Sequence, residues 1–162
     1  MYKIINIGPA EIPLVRELTY NVWPQTYAAI LSKGQIDYML DMMYSEASLE
    51  KQMKEGCQFV LIYNQDQPVG FASYQEIKPT VFKLHKIYVL PSEQGKGTGK
   101  KLIEHVINAV SDRGGRSLQL QVNIHNKARQ FYEKLGFAEI DTIKLDIGNG
   151  YIMDDYIMEK KL

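Results

Sequence analysis

The alternating glycines of Gln94-Gly95-Lys96-Gly97-Thr98-Gly99-Lys100 constrain this chain more than any other segment. Ile87-Tyr88-Val89-Leu90 and then Pro91 precede them, and Leu102, Ile103, Val106, Ile107 and Val110 follow at helical spacing. The chain therefore has to pass from a strand, through a tight turn, into a helix. Glycine lets backbone N–H groups come close to a ligand. A helix start leaves those groups unpaired and adds partial positive charge. Together they make an anion site, with pyrophosphate as its natural occupant. A glycine-rich turn without a ligand is the plainer reading of the same residues.

Two phosphate loops are excluded by spacing. A Walker loop needs Lys-Ser or Lys-Thr after its last glycine, whereas Gly99 is followed by Lys100-Lys101. Gly95-x-Gly97-x-Gly99 is also not the G-x-G-x-x-G of a dinucleotide fold. Gln94-x-x-Gly97-x-Gly99 resembles instead the acyl-coenzyme A loop of the GNAT acetyltransferase superfamily. A second motif, Asn126-Lys127-Ala128-Arg129-Gln130-Phe131-Tyr132-Glu133-Lys134-Leu135-Gly136-Phe137, resembles the segment that closes that family's cofactor site. Its local physics is that of a short helix. Asn126 suits an N-cap, Ala128, Phe131, Tyr132 and Leu135 make one apolar stripe, and Gly136 is a C-terminal stop. The Asn-to-Phe spacing is one residue tighter than the commonest family form, so Asn123 stands beside Asn126 as a coenzyme contact.

The 162 residues are read as a single domain, 1–162, with 45% hydrophobic residues to build a core. Nineteen basic and nineteen acidic residues balance, which speaks against bulk nucleic-acid binding. The single cysteine, Cys57, cannot form an internal disulfide and fits a reducing compartment. It reads as a small strand residue, with a thiol nucleophile as the alternative. No signal pattern or membrane-length apolar run is present, so a soluble, cytoplasmic protein without a membrane partner is expected.

Along the chain, Tyr2 to Ile7 reads as an edge strand. A helix carries Leu14, Val15, Leu18 and Val22, and Pro24 is expected to kink or end it. Tyr27 to Gly34 is a short helix or turn. Gln35 to Tyr44 and Ser48 to Gly56 read as helices, the second capped by Ser45. Cys57 to Asn64, Val69 to Ile77 and Val81 to Leu90 read as strands, the first two joined by a turn at Gln65-Asp66-Gln67-Pro68. Thr98 to Arg113 is the main helix. Leu118, Leu120, Val122 and Ile124 alternate with polar residues as a half-buried strand. The Asn126 helix follows, and then two strands about Gly148-Asn149-Gly150, a hairpin signal. The expected fold is α/β, a central mixed, mostly antiparallel sheet flanked by helices, with the element order of the GNAT fold. The resemblance covers most of the chain and is specific from about Leu84 to Phe137.

The resemblance implies acetyl-CoA as co-substrate and assigns no metal. Ile87, Tyr88 and Val89 match the strand along which the thioester lies, which in the family a bulge splays from the next strand and where a backbone N–H polarises the carbonyl. Gln94, Gly95, Lys96, Gly97, Thr98, Gly99 and Lys100, with Asn126 and Ala128, are the other implied coenzyme contacts. Tyr132 matches the family's general acid. Its hydroxyl, with a pKa of roughly 10, can protonate a thiolate of about 8.5. An alkylamine acceptor, with a pKa of about 10.4, must first lose a proton. His85 stands where many members carry a glutamate base; Glu76 and water are alternatives, and Lys83 and Lys86 should lower the His85 pKa. Trp23, Tyr27 and Glu76 are candidates for acceptor binding, with Tyr38, Met39, Met42, Met43 and Tyr44 as core or groove. The acids Asp141, Asp146, Asp154 and Asp155 could attract a cation. Trp23-Pro24-Gln25-Thr26-Tyr27 and Asp155-Tyr156-Ile157-Met158-Glu159-Lys160 look like the bacterial polyamine acetyltransferase branch. This implies a small primary amine, such as a polyamine, as acceptor. Ribosomal-protein N-terminal acetyltransferases share the two motifs, and a non-catalytic acyl-CoA-binding regulator is a further alternative. A homodimer is compatible with the resemblance.

Overall fold

The computed structural model describes residues 1–162. The elements run β1 (Tyr2–Ile7), α1 (Ile12–Tyr27), α2 (Lys33–Tyr44), α3 (Glu46–Lys54), β2 (Gln58–Asn64), β3 (Gln67–Lys78), β4 (Val81–Val89), α4 (Thr98–Asp112), β5 (Ser117–Asn123), α5 (Ala128–Lys134), β6 (Ala138–Gly148) and β7 (Tyr151–Lys161). The seven strands form one sheet in the order β1-β2-β3-β4-β5-β7-β6. Only β4 and β5 are parallel, as their connection through α4 requires. The fold is the expected mixed sheet flanked by helices.

The sheet separates two apolar layers. On one face α4 buries Leu102, Ile103, Val106 and Val110 against Val60, Phe82, Leu84, Leu118 and Leu120. Each such side chain contributes roughly 1.5–3 kcal/mol. On the other face α1, α2 and α3 bury Val15, Leu18, Trp23, Leu40 and Leu49 against Phe59, Leu61 and Phe71. In β5 the expected alternation holds, with Leu118, Leu120 and Val122 buried.

Caps and turns follow local chemistry. Ser45 Oγ accepts from the Ser48 N–H at 3.2 Å and starts α3. Ser32 does the same for α2 through the Gln35 N–H, two residues before the expected start. The Asn149-Gly150 turn has φ values of 55° and 80°, the left-handed pair that a two-residue hairpin needs.

Three expectations are corrected. Pro24 does not end α1; the helix continues to Tyr27, and the Pro24 carbonyl accepts from the Ala28 N–H. The proline sits in the last turn, where one lost bond is offset by the buried Val22 and Trp23 beside it. Pro68 belongs to β3 rather than to the turn, at a register shift between Ile62 and Tyr63. Asn126 lies one position outside the N-cap of α5, which is Lys127, yet its Oδ1 still accepts from the Ala128 N–H at 2.9 Å.

Candidate active site

The site begins where β4 and β5 part. They pair from Val81–Ser117 to Leu84–Leu120 and no further. Opposite Ser73 and Tyr74 of β3, β4 carries one extra residue, His85, because Ser73 pairs with Lys86 and Tyr74 with Leu84. This bulge bends β4 away from β5. It also reverses the facing of every later residue. Phe82 and Leu84 pack toward α4, and after the bulge Ile87 and Val89 take that face while Tyr88 joins the layer of α1 and α2. The Leu90 N–H donates to the Val69 carbonyl at 2.8 Å. By antiparallel alternation, the N–H groups of Ile87 and Val89 then point into the opened gap.

Next to the gap stands the start of α4. Gly95 and Gly97 both have φ of +80°, and a Cβ at either would meet no atom. The Lys101 N–H donates to the Gly97 carbonyl, so Thr98, Gly99 and Lys100 precede the first intrahelical bond and keep free N–H groups. The Thr98 hydroxyl turns inward and donates to Glu93 Oε2 at 2.9 Å, beneath the loop. The Glu93 carboxylate, also bonded by Asn64 and Tyr2, is held below the usual range, chiefly by the Asn64 bond. The loop is thus braced from below and open above. Its unpaired N–H groups and bare left-handed glycines make an opening that suits an anion such as a pyrophosphate.

A cavity of about 1020 Å³ joins these parts. Gln94, Gly95, Gly97, Thr98, Gly99 and Lys100 line one end. Ile87, Tyr88 and Val89 line the gap, and Asn126, Ala128 and Tyr132 face them from α5 and its approach. Asn123 lines it too, although its Oδ1 is engaged by the His125 N–H. Trp23, Tyr27 and His85 complete the set that the sequence brings together. Lys96 and Glu76 fall outside, as do Asp141, Asp146 and Asp154 of the four hairpin acids. Lys96 does not line the cavity, and its backbone N–H donates to the Glu93 carbonyl. Glu76 is exposed, and its carboxylate braces the β3–β4 turn through the Thr80 N–H at 3.3 Å.

Tyr132 is buried between Phe131 and Phe137. Burial, then the nearby Tyr27, pushes its phenol well above the ordinary value. It therefore stays protonated at any ordinary pH. The hydroxyls of Tyr27 and Tyr88 share a hydrogen bond at 3.0 Å. His85 Nε2 lies 3.1 Å from Gln75 Oε1. Although His85 is exposed at the cavity rim, desolvation by the surrounding chain, followed by Lys83 and Lys86 as anticipated, lowers its pKa to about 4. It is neutral at pH 7 and a weak base.

Three lining residues carry charge in ways that strand alternation hides. Asp155, on β7 opposite Asn123, is buried, and desolvation with neighbouring Asp154 raises its carboxyl to about 6. Lys83 lines the same end, its pKa lowered by burial. Lys86 is 8% exposed, and burial lowers it to about 8. Unbroken alternation would put Lys86 in phase with Phe82 and Leu84. A lysine in phase with core residues was the available signal of a bulge.

A family model described as "Acetyltransferase (GNAT) domain" matches residues 28–153. The [Ribosomal protein bS18]-alanine N-acetyltransferase of Haemophilus influenzae is 39% identical over 79 residues, 49% of this chain and 53% of that protein. An N-acetyltransferase of Methanocaldococcus jannaschii is 40% identical over 85 residues, 48% of this chain and 38% of its own length. The chain thus spans about half or less of these curated relatives. Among solved structures, the PaiA N-acetyltransferase of Thermoplasma acidophilum in complex with coenzyme A superposes with a TM-score of 0.86. It is 24% identical and the match covers 100% of this chain and 99% of that one. The ribosomal-protein-S18-alanine N-acetyltransferase of Escherichia coli superposes at 0.76 with 22% identity, covering 99% and 94%. With the family model spanning most of its length and the loop, gap and tyrosine in one cavity, the chain belongs to the GNAT acetyltransferase-domain family.

Proposed function

We propose that this chain transfers the acetyl group of acetyl-CoA to a primary amine by direct attack, with Tyr132 as general acid. The observation that carries the reading is the β4–β5 gap, which faces Tyr132 in the same cavity as the open start of α4. Acetyl-CoA supplies an acyl carbon activated as a thioester. The α4 N–H groups hold its phosphates, and an Ile87 or Val89 N–H donates to the thioester carbonyl as negative charge grows there. The amine lone pair forms the C–N bond while the C–S bond breaks, and Tyr132 gives its proton to the departing sulfur. The proton lost by the amine goes to Asp155 or, through water, to neutral His85. Asp155 is the stronger base of the two.

The charge pattern bears on the acceptor. A polyamine, which the sequence resemblance implies, calls for several carboxylates. Away from the glycine loop, the cavity lining offers Asp155 alone, against Lys83, Lys86 and Lys127. A second reading, acetylation of a protein N-terminal alanine, is favoured by the Haemophilus influenzae relative. A binding-only role is opposed by Tyr132, since holding a coenzyme needs no proton donor. Thiol release from acetyl-CoA with a panel of amines and peptide N-termini tests the reading. Tyr132→Phe should lower turnover by about 10²–10⁴-fold with coenzyme affinity by calorimetry nearly intact. Equal turnover, with chemistry rate-limiting, would reduce Tyr132 to a packing residue.

A further inference from the structure

Lys86 is a cation without a counter-charge. It is 8% exposed and lines the cavity, and its ammonium sits 4.5 Å from the centroid of the Tyr44 ring. None of the ion pairs in the structure includes it. The charged or titratable groups that act on it are Cys57 and a second lysine, Lys83. The one carboxylate at this end, Asp155, faces Lys83 instead. Directly opposite Lys86 on β3, and so on the same face of the sheet, Ser73 has its Oγ buried with no partner. An unpaired buried charge is costly, and an anion placed beside it offsets that cost. The neighbouring wall is apolar and aromatic, made of Trp23, Met39, Met43 and Tyr44. With Asp155 set against one lysine, one positive charge is left over.

We infer that the acceptor amine also carries an anionic group, a carboxylate or a phosphate, seated on Lys86 beside Lys83, with an apolar body against Trp23 and Met39. The inference rests on the acetyl-transfer reading above. It turns the excess of lysine into a specificity device: the anion anchors one end of the acceptor, and the amine is left to reach the gap near Tyr132. A polycation meets two lysines there and is rejected.

The test uses matched pairs with the intact protein and saturating acetyl-CoA. L-phenylalanine is compared with 2-phenylethylamine, L-methionine with 3-(methylthio)propylamine, and O-phosphoethanolamine with ethanolamine; spermidine serves as the polycation. The anionic member of at least one pair should lead in kcat/KM, and which pair leads tells carboxylate from phosphate. Lys86→Met should cut that lead by about 30-fold or more, the size expected for removing one partner of a buried charge pair. The variant exchanges a buried charge for an apolar side chain of similar length, so it should fold at least as well as the parent. No lead for the anion-bearing member in any pair, or an equal lead in Lys86→Met, overturns the inference. If no amine turns over, the transfer reading fails. Calorimetry of the coenzyme A-saturated protein then decides the inference: L-phenylalanine binding that is stronger than 2-phenylethylamine binding and depends on Lys86 upholds it, and indifference to the anion overturns it.

Discussion

Asp155 and His85 both line the cavity, and their different surroundings give them different pH signatures as candidate bases. The charged and titratable groups about Asp155 are Asp154 on its own strand, Lys83 on β4 and Tyr27 on α1. With a carboxyl at about 6, the rate at limiting amine should rise with pH through that value as the base ionises. A limb governed by His85 would lie near 4. Asp155→Asn should erase the limb near 6, and His85→Ala should keep it; overlaid profiles for Asp155→Asn and parent would remove Asp155 from the role. The same shift acts on stability. The native carboxyl binds its proton more tightly than the unfolded one, whose ordinary value is 3.8, so its contribution is present below about pH 4 and lost as pH rises through about 6. Melting temperatures should show Asp155→Asn gaining on the parent at pH 7.5 relative to pH 4. Of these residues Tyr132 could be placed on a short helix from its local pattern, and the family resemblance alone singled it out as the proposed acid. Asp155 was visible only as one of four hairpin acids, since nothing in a hairpin's own pattern says which acid meets a cavity. Lys86 was invisible as a wall residue because the bulge at His85 changes the phase of the strand after it.

At the level of elements, the strand-to-helix turn was the most legible part, and its chemistry is local. Gly97→Val should weaken coenzyme binding by calorimetry, since φ of +80° costs an L-residue about 1–2 kcal/mol and the side chain would stand in the open space above the loop. Unchanged affinity in a folded variant would detach the loop from the coenzyme. The parting of β4 from β5 was less legible because it depends on β3. A Cβ on Gly70 would lie 2.7 Å from the Tyr88 carbonyl oxygen and 2.9 Å from Val89 Cγ1. Gly70 thus lets β4 lie close against β3 as it leaves β5. Gly70→Ala should destabilise the protein by about 1–3 kcal/mol, an overpacking cost, and should lower activity more than Gly8→Ala, where a Cβ meets nothing. Denaturant midpoints and thiol release measure both. Pro24 shows the limit of a local rule: it forbids one hydrogen bond, and the packing of its neighbours decides whether the helix stops.

Across the whole molecule, the element order could be read from the sequence, but the order of strands in space could not. The hairpin signal at Asn149-Gly150 joins β6 to β7 and does not say which of them meets β5. The structure puts β7 inside, with Met158 fully buried opposite Leu120, and leaves β6 as the edge. The hairpin also touches the helical layer, where the Tyr38 hydroxyl donates to the Ile147 carbonyl at 2.7 Å and Gln35 Nε2 donates to the Ile152 carbonyl at 2.9 Å. Cutting this contact with Tyr38→Phe should leave coenzyme affinity unchanged and raise KM for the acceptor, because the wall it ties carries Met39 and Met153; an unchanged KM would separate the contact from the acceptor site. The interior place of β7 also governs the chain as the ribosome delivers it. The glycine loop, α4 and Tyr132 emerge before β7 does, while the Ser117–Asn123 edge stays unpaired until the last of the sheet arrives. Until β7 pairs with it, the nascent chain presents an apolar strand edge to its neighbours on the polysome.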